Sequence, residues 1–175
     1  QNTGAYTNIS TVDNIPISNT KCTLCGQCIT HCPTGALKER NDLPEIYDIL
    51  ADPNKVTVVQ IAPAVRTAWL ERKDMEPGID TEGRLVAALK RMGFDYVLDT
   101  VFAADVTIME EGTELLEHLS DNKKMPMFTS CCPGWVSYLT MNHPEMLLNL
   151  STTKSPQQIF GALVKTYFAK KTGVA

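Results

Sequence analysis

The chain has 175 residues, 43% of them hydrophobic, with 16 Lys and Arg against 20 Asp and Glu for a formal net charge of -4. That is enough apolar material for one sizeable core plus a small satellite domain. The cations are scattered, so there is no basic patch for a phosphate backbone, which argues against nucleic acid as a partner. No apolar stretch nears the roughly 20 residues that span a bilayer, and no signal peptide is visible, so no membrane partner is expected and an intracellular location is.

From the N-terminus, residues 1–20 are polar and turn-rich. Cys22-Thr-Leu-Cys25-Gly-Gln-Cys28-Ile-Thr-His-Cys32-Pro33 follows, with the C-x2-C-x2-C-x3-C-P spacing of bacterial ferredoxins. Short gaps let three thiolates wrap one iron-sulfur cube, and the fourth cysteine ligates the neighbouring cluster in two-cluster ferredoxins. Zinc or a disulfide framework is the alternative, but four cysteines within eleven residues do not easily reach disulfide geometry. No second such run precedes Cys22, and the chain begins with Gln rather than Met, so it is expected to be a fragment.

Residues 43–51 read as a short helix, and 56–61 as a β-branched strand that Ala62-Pro63-Ala64 ends. Helices over 64–72 and 81–92, a strand at 94–98, a helix over 105–119 and a short strand at 127–129 come next, with helices from Gly134 and Pro156. Strand-then-helix order predicts an α/β fold, a parallel sheet flanked by helices. Ligands gather beyond the carboxyl ends of such strands. Three segments fit that place: Ala62-Pro63, Cys131-Cys132-Pro133, and Ser155-Pro156-Gln157-Gln158, which carries an S-x-x-Q capping box. Each proline also serves simply to start a helix.

Cys131 and Cys132 are adjacent, and neighbouring α-carbons lie about 3.8 Å apart, below the disulfide range, so each thiol needs its own role. Pro133 suits a first helical position, which sets both sulfurs beside unpaired N–H groups and the positive end of a helix dipole. Such a place favours a thiolate or an anionic metal cluster. The plain alternative is two small buried apolar side chains.

The stretches T-S-C-C-P-G-W-V, I-M-E-E-G-T-E-L, K-S-P-Q-Q-I-F-G, I-A-P-A-V-R and C-T-L-C-G-Q-C together resemble the iron-only, or FeFe, hydrogenases over nearly the whole chain. The resemblance implies a partial ferredoxin-like iron-sulfur domain over 1–42 and part of the catalytic domain, its first lobe, over 43–175. It implies 4Fe-4S clusters and, in the intact enzyme, an H-cluster: a 4Fe-4S cube bridged by cysteine to a two-iron unit bearing CO, CN and a dithiolate. The reaction implied is reversible reduction of protons to hydrogen, with electrons from ferredoxin or another low-potential carrier.

By the same resemblance, Cys22, Cys25, Cys28 and Cys32 bind the cubane clusters, Cys132 is the first H-cluster ligand, and Cys131 is the thiol that relays protons. The proton route would continue through Glu111, Ser151 and Glu114. Glu111 and Glu114 are three apart and share a helical face, although acidic helix residues are ordinarily a solvated surface. Ala62, Pro63 and Gln157 match positions lining the cluster pocket, with Lys154 close by. His118 stands where some members carry arginine. His31, His143, Trp69 and the methionines read as packing or surface residues.

The family's later motifs, M-P-C and M-A-C-x-G-G-C, do not occur in the chain. The remaining H-cluster cysteines and half of the ferredoxin-like ligands are thus expected from N- and C-terminal portions of the same protein, and this chain alone is expected to be incomplete and inactive. The expected location is cytoplasmic, or an anaerobic organelle if a targeting segment was lost. Two other readings are a hydrogenase-like iron-sulfur assembly factor that makes no hydrogen, and an electron-transfer ferredoxin. The second leaves 43–175 without a purpose, while Cys131 with the Glu111 and Glu114 pair favours the enzyme over the first.

Overall fold

The computed structural model describes residues 4–6, 10–70, 81–121 and 125–174. Its regular elements are helix α1 (Gln27–Thr30), helix α2 (Leu43–Ala51), strand β1 (Val58–Ile61), helix α3 (Pro63–Leu70) and helix α4 (Thr81–Arg91). Strand β2 (Tyr96–Asp99) and helices α5 (Val101–Ser120), α6 (Pro133–Asn142), α7 (Pro156–Leu163) and α8 (Ala169–Thr172) follow. A single π-helical turn, Val164–Phe168, joins α7 to α8. Proline opens α3, α6 and α7, where its missing N–H costs no intrahelical bond. The chain packs as two compact units, one made of Gln1–Asn41 with Glu117–Thr152, the other of Asp42–Leu116 with Thr153–Ala175.

The second unit holds the sheet. β1 and β2 pair in parallel with Val58 opposite Tyr96 and Ile61 opposite Asp99. Among the described residues the sheet has these two strands, with helices before, between and after them. Ile61, Leu85, Ala103 and Phe160 are its buried apolar side chains, and Phe168 meets the Tyr96 ring edge-on with centroids 5.0 Å apart. β1 starts at Val58 rather than at the expected Val56, because Thr57 is taken by a clasp: its N–H and hydroxyl both donate to Asp95 Oδ2, at 2.7 and 2.9 Å. Those donors, the backbone N–H first, hold the Asp95 carboxyl below its ordinary pKa.

α5 begins at Val101, a full turn before the expected start at 105, because the Val101 N–H is capped by Asp99 Oδ1 at 2.9 Å. α3 follows its expected course, and positions 71 and 72 of that expected helix lie outside the described residues. The capping box at the start of α7 is present in both directions, with Ser155 Oγ accepting from the Gln158 N–H and Gln158 Oε1 accepting from the Ser155 N–H.

In the first unit, the described residues ahead of the cysteine-rich loop include 3-10 turns at Gly4–Tyr6, Val12–Asn14 and Ile17–Asn19. The strand expected at 127–129 is reduced to one parallel bridge. The Phe128 N–H donates to the Asn149 carbonyl and the Ser151 N–H to the Phe128 carbonyl, each at 2.7 Å. The facing segment, from Leu150, follows a 3-10 turn, Pro144–Asn149, and 151–155 carry no regular secondary structure. Asn149, 2% exposed, also donates from Nδ2 to the Pro126 carbonyl at 2.7 Å. Leu139 of α6 is fully buried, and Trp135 packs edge-on against Phe128.

Candidate functional site

The cysteine-rich loop reverses direction within a few residues, using left-handed backbone at Leu24 (φ 57°) and Gly26 (φ 77°). At Gly26 this is free of strain, whereas at Leu24 the Cβ crowds the carbonyl, at a cost of about 1–2 kcal/mol. The turn brings the Leu24 N–H within 3.4 Å of Cys22 Sγ. Cys25 has its pKa lowered by the Gln27 N–H and then by the Thr23 hydroxyl. Cys32 is lowered to about 7, chiefly by the Leu37 N–H and next by the Thr34 hydroxyl, whose oxygen lies 3.6 Å from the sulfur. N–H and O–H donors aimed at sulfur stabilise a thiolate, the form that ligates iron. The donor set therefore fits a 4Fe-4S cluster, although among the described residues no three His, Cys, Asp or Glu side chains are gathered closely enough to hold a metal ion.

Further along the first unit, Cys132 is the N-cap of α6 in extended conformation, and its carbonyl accepts the Val136 N–H at 3.1 Å. Both Cys131 and Cys132 are free and exposed, which removes the alternative of two buried apolar residues. The start of α6 also lies against the cysteine-rich loop. A Cβ placed on Gly134 would stand 3.4 Å from the Thr23 carbonyl oxygen and 3.9 Å from Cys132 Sγ. Ser151, 5% exposed, is held by the bridge to Phe128, three residues before Cys131.

The second unit carries the other candidates. Glu111 and Glu114 on α5 are both half-buried, whereas Glu110 and Glu117 on the same helix are exposed. Glu111 Oε1 is shut off from solvent and has no hydrogen-bond partner among the described residues, an uncommon state for a carboxylate oxygen in a folded protein. Glu114 Oε2 lies 3.5 Å from the Thr153 hydroxyl, beside Lys154. Ala62, Pro63, Lys154 and Gln157 are all exposed. The Ala62 carbonyl accepts the N–H groups of Val65 and Arg66, at 3.0 and 3.2 Å, and so opens the first turn of α3. A cavity of about 300 Å³ lined by Leu98, Phe102, Phe160 and Tyr167 is apolar and includes none of these candidates.

The residues that sequence reasoning missed are the donors around the sulfurs and the side chains at the strand ends. Thr23 and Thr34 sit one or two positions from a cysteine, where hydroxyls commonly turn back on the chain. Asp99-Thr100 ahead of an apolar run has the form of a helix start, and was the available signal for the Asp99 cap.

Residues 55–174 match the family model described as iron only hydrogenase large subunit, C-terminal domain, and residues 15–38 match a 4Fe-4S binding domain. An NADP-reducing hydrogenase subunit of Solidesulfovibrio fructosivorans is 51% identical over 164 residues, 90% of this chain and 28% of that protein. A cytosolic iron-sulfur assembly component of Bos taurus is 30% identical over 172 residues, 91% of this chain and 36% of that protein. An apo FeFe-hydrogenase variant from Chlamydomonas reinhardtii superposes with a TM-score of 0.71 at 44% identity, over 78% of this chain and 36% of that one. The chain thus spans about a third of the length of these proteins. It belongs to the iron-only hydrogenase large-subunit family, matching its C-terminal domain over 55–174 with a 4Fe-4S binding segment ahead of it at 15–38.

Proposed function

We propose that the protein containing this chain catalyses the reversible reduction of protons to hydrogen, with low-potential electrons entering through 4Fe-4S clusters. The domain division is proposed at 42/43, a partial ferredoxin-like domain followed by part of the H-cluster domain. The observation that carries the reading is Glu111. A carboxylate oxygen closed off from solvent and without a partner among the described residues, three residues before a second half-buried carboxylate, suits proton handling better than surface solvation.

In this reading Cys22, Cys25, Cys28 and Cys32 hold cubane iron, and Cys132 holds the H-cluster at the start of α6, where unpaired N–H groups and the helix dipole favour an anion. Once bound, that cofactor supplies the redox chemistry. The chain's own residues do the rest. Cys131, exposed beside the ligand, gives and takes the proton at its sulfur. Glu111, Ser151 and Glu114 pass it onward, Ser151 through its hydroxyl and the two acids through their carboxylates. Ala62, Pro63, Lys154 and Gln157 form the wall of the pocket. The electron donor is proposed to be ferredoxin or a similar carrier, and the remaining ligands to come from other parts of the same protein. Assembly-factor relatives support a second reading, in which the same cysteines bind clusters without hydrogen chemistry.

The test is Glu111→Gln in the full-length protein. Glutamine keeps shape and polarity but cannot cycle a proton. Hydrogen production is expected to fall at least a hundredfold, within the usual range for a proton-transfer group, with iron content unchanged. Normal turnover refutes the role of Glu111. Absence of hydrogen production from the unmodified protein, with clusters intact, favours the assembly reading.

A further inference from the structure

The carboxyl ends of β1 and β2 are joined by side chains that the reading above leaves unused. Arg66, in the first turn of α3, donates from Nη1 to Asp99 Oδ2 at 3.0 Å, and the same nitrogen lies 3.5 Å from Glu82 Oε1. The second Asp99 oxygen, Oδ1, accepts the Val101 N–H at the head of α5. Alongside, the Thr100 hydroxyl donates to Gln60 Oε1 and the Thr100 N–H to the Ile61 carbonyl, both at 3.1 Å. One carboxylate therefore holds two helix starts. One is α3, whose Pro63 and preceding Ala62 form an exposed turn; the other is α5, which carries Glu111 and Glu114.

We infer that Asp99, acting through Arg66, is a positioning residue that fixes the Ala62–Pro63 turn relative to the start of α5. The inference rests on the proposed cofactor pocket, of which that turn is a wall. Arg66 and Asp99 side chains are 33% and 36% exposed, and ion pairs so placed add little to global stability. Their effect is directional. A guanidinium is planar and donates along set lines, and the Arg66 backbone N–H already closes on the Ala62 carbonyl, so the pair ties the turn from a second side. Pocket walls need placement to within about 0.5 Å, which a single helical turn at a loop end does not guarantee by itself.

Amide hydrogen exchange, read by mass spectrometry on the 175-residue chain, and infrared spectroscopy of the full-length protein test this together. Asp99→Asn keeps an oxygen for Val101 but removes the anion facing Arg66. Peptides covering 62–66 are expected to exchange about five- to tenfold faster, with peptides across α7 unchanged. Arg66→Gln is expected to do the same, and the double variant no more than either alone, the behaviour of a coupled pair. In the full-length protein Asp99→Asn is expected to shift or broaden the CO and CN bands at unchanged iron content, a change that loss of stability alone does not produce. Unchanged exchange at 62–66 in both single variants overturns the inference. So do unaltered bands despite faster exchange. If the unmodified full-length protein has no such bands, the cofactor reading is what fails, and faster exchange at 62–66 still supports the tie between Asp99 and the turn.

Discussion

Gly134 is where the cysteine-rich loop and the Cys131-Cys132 helix meet within one unit, and substitutions there measure how tight that approach is. A Cβ on Gly134 would meet the Thr23 carbonyl oxygen at 3.4 Å and Cys132 Sγ at 3.9 Å, the near edge of ordinary van der Waals contact. Gly134→Ala therefore incurs little clash. It gains helix propensity, up to about 1 kcal/mol in a helix interior and about half that in a first turn. Near 2–4 °C per kcal/mol for a chain of this size, the melting temperature is expected to rise by roughly 1–2 °C. Gly134→Val adds two γ-carbons beyond a Cβ that already stands at contact distance from the Thr23 carbonyl oxygen. Overpacking of this kind costs about 1–3 kcal/mol, for a fall of roughly 2–12 °C. Thermal unfolding of the reduced, metal-free chain under anaerobic conditions, followed by circular dichroism, separates the two. A melting temperature that falls for alanine, or holds for valine, refutes the packing of Thr23 against α6.

Two further outcomes are expected. In the full-length protein Cys131→Ala is expected to keep the infrared CO and CN bands but lose most turnover, while Cys132→Ala disturbs the bands themselves; equal loss of cofactor in both removes the division of roles. Alkylation of Cys32 in the metal-free chain is expected to follow thiolate content. It should rise as pH climbs through about 7, and shift to higher pH in Thr34→Val, which removes the hydroxyl that helps lower the thiol. A profile unmoved by Thr34→Val shows that backbone donors alone set it.

Local chemistry was legible in the sequence, and long-range chemistry was not. The capping box at Ser155 and the proline-led start of α6 involve residues within four positions of each other, so composition and spacing suffice. The start of β1 depends on Asp95, 38 residues beyond Thr57, whereas the Asp99 cap two residues before Val101 is local and only its tie to Arg66, 33 residues earlier, is long-range. The strand expected at 127–129 likewise turns on a distant partner, Leu150, with which Phe128 makes one bridge rather than a ladder. For the candidate site, the cysteines announced themselves by spacing. Glu111 did not, since one acid among several on a helix reads as surface until burial separates it from Glu110. Nor does sequence order reveal that 117–152 packs in a unit with the N-terminal loop rather than with the sheet.

The parallel pairing of β1 with β2 has a consequence during synthesis. Val58 must wait for Tyr96, 38 residues later, before its first ladder bond can form. At about 5–20 residues per second the strand is made roughly 2–8 s before its partner. Through that interval Val56-Thr57-Val58-Val59-Gln60-Ile61 is a six-residue, uncharged, proline-free β-former with both edges open, the composition from which intermolecular strand stacking grows. The yield of native protein is therefore decided partly on the ribosome, by whether β2 or a second nascent chain reaches this segment first, and slower, cooler expression at low chain density favours the correct partner.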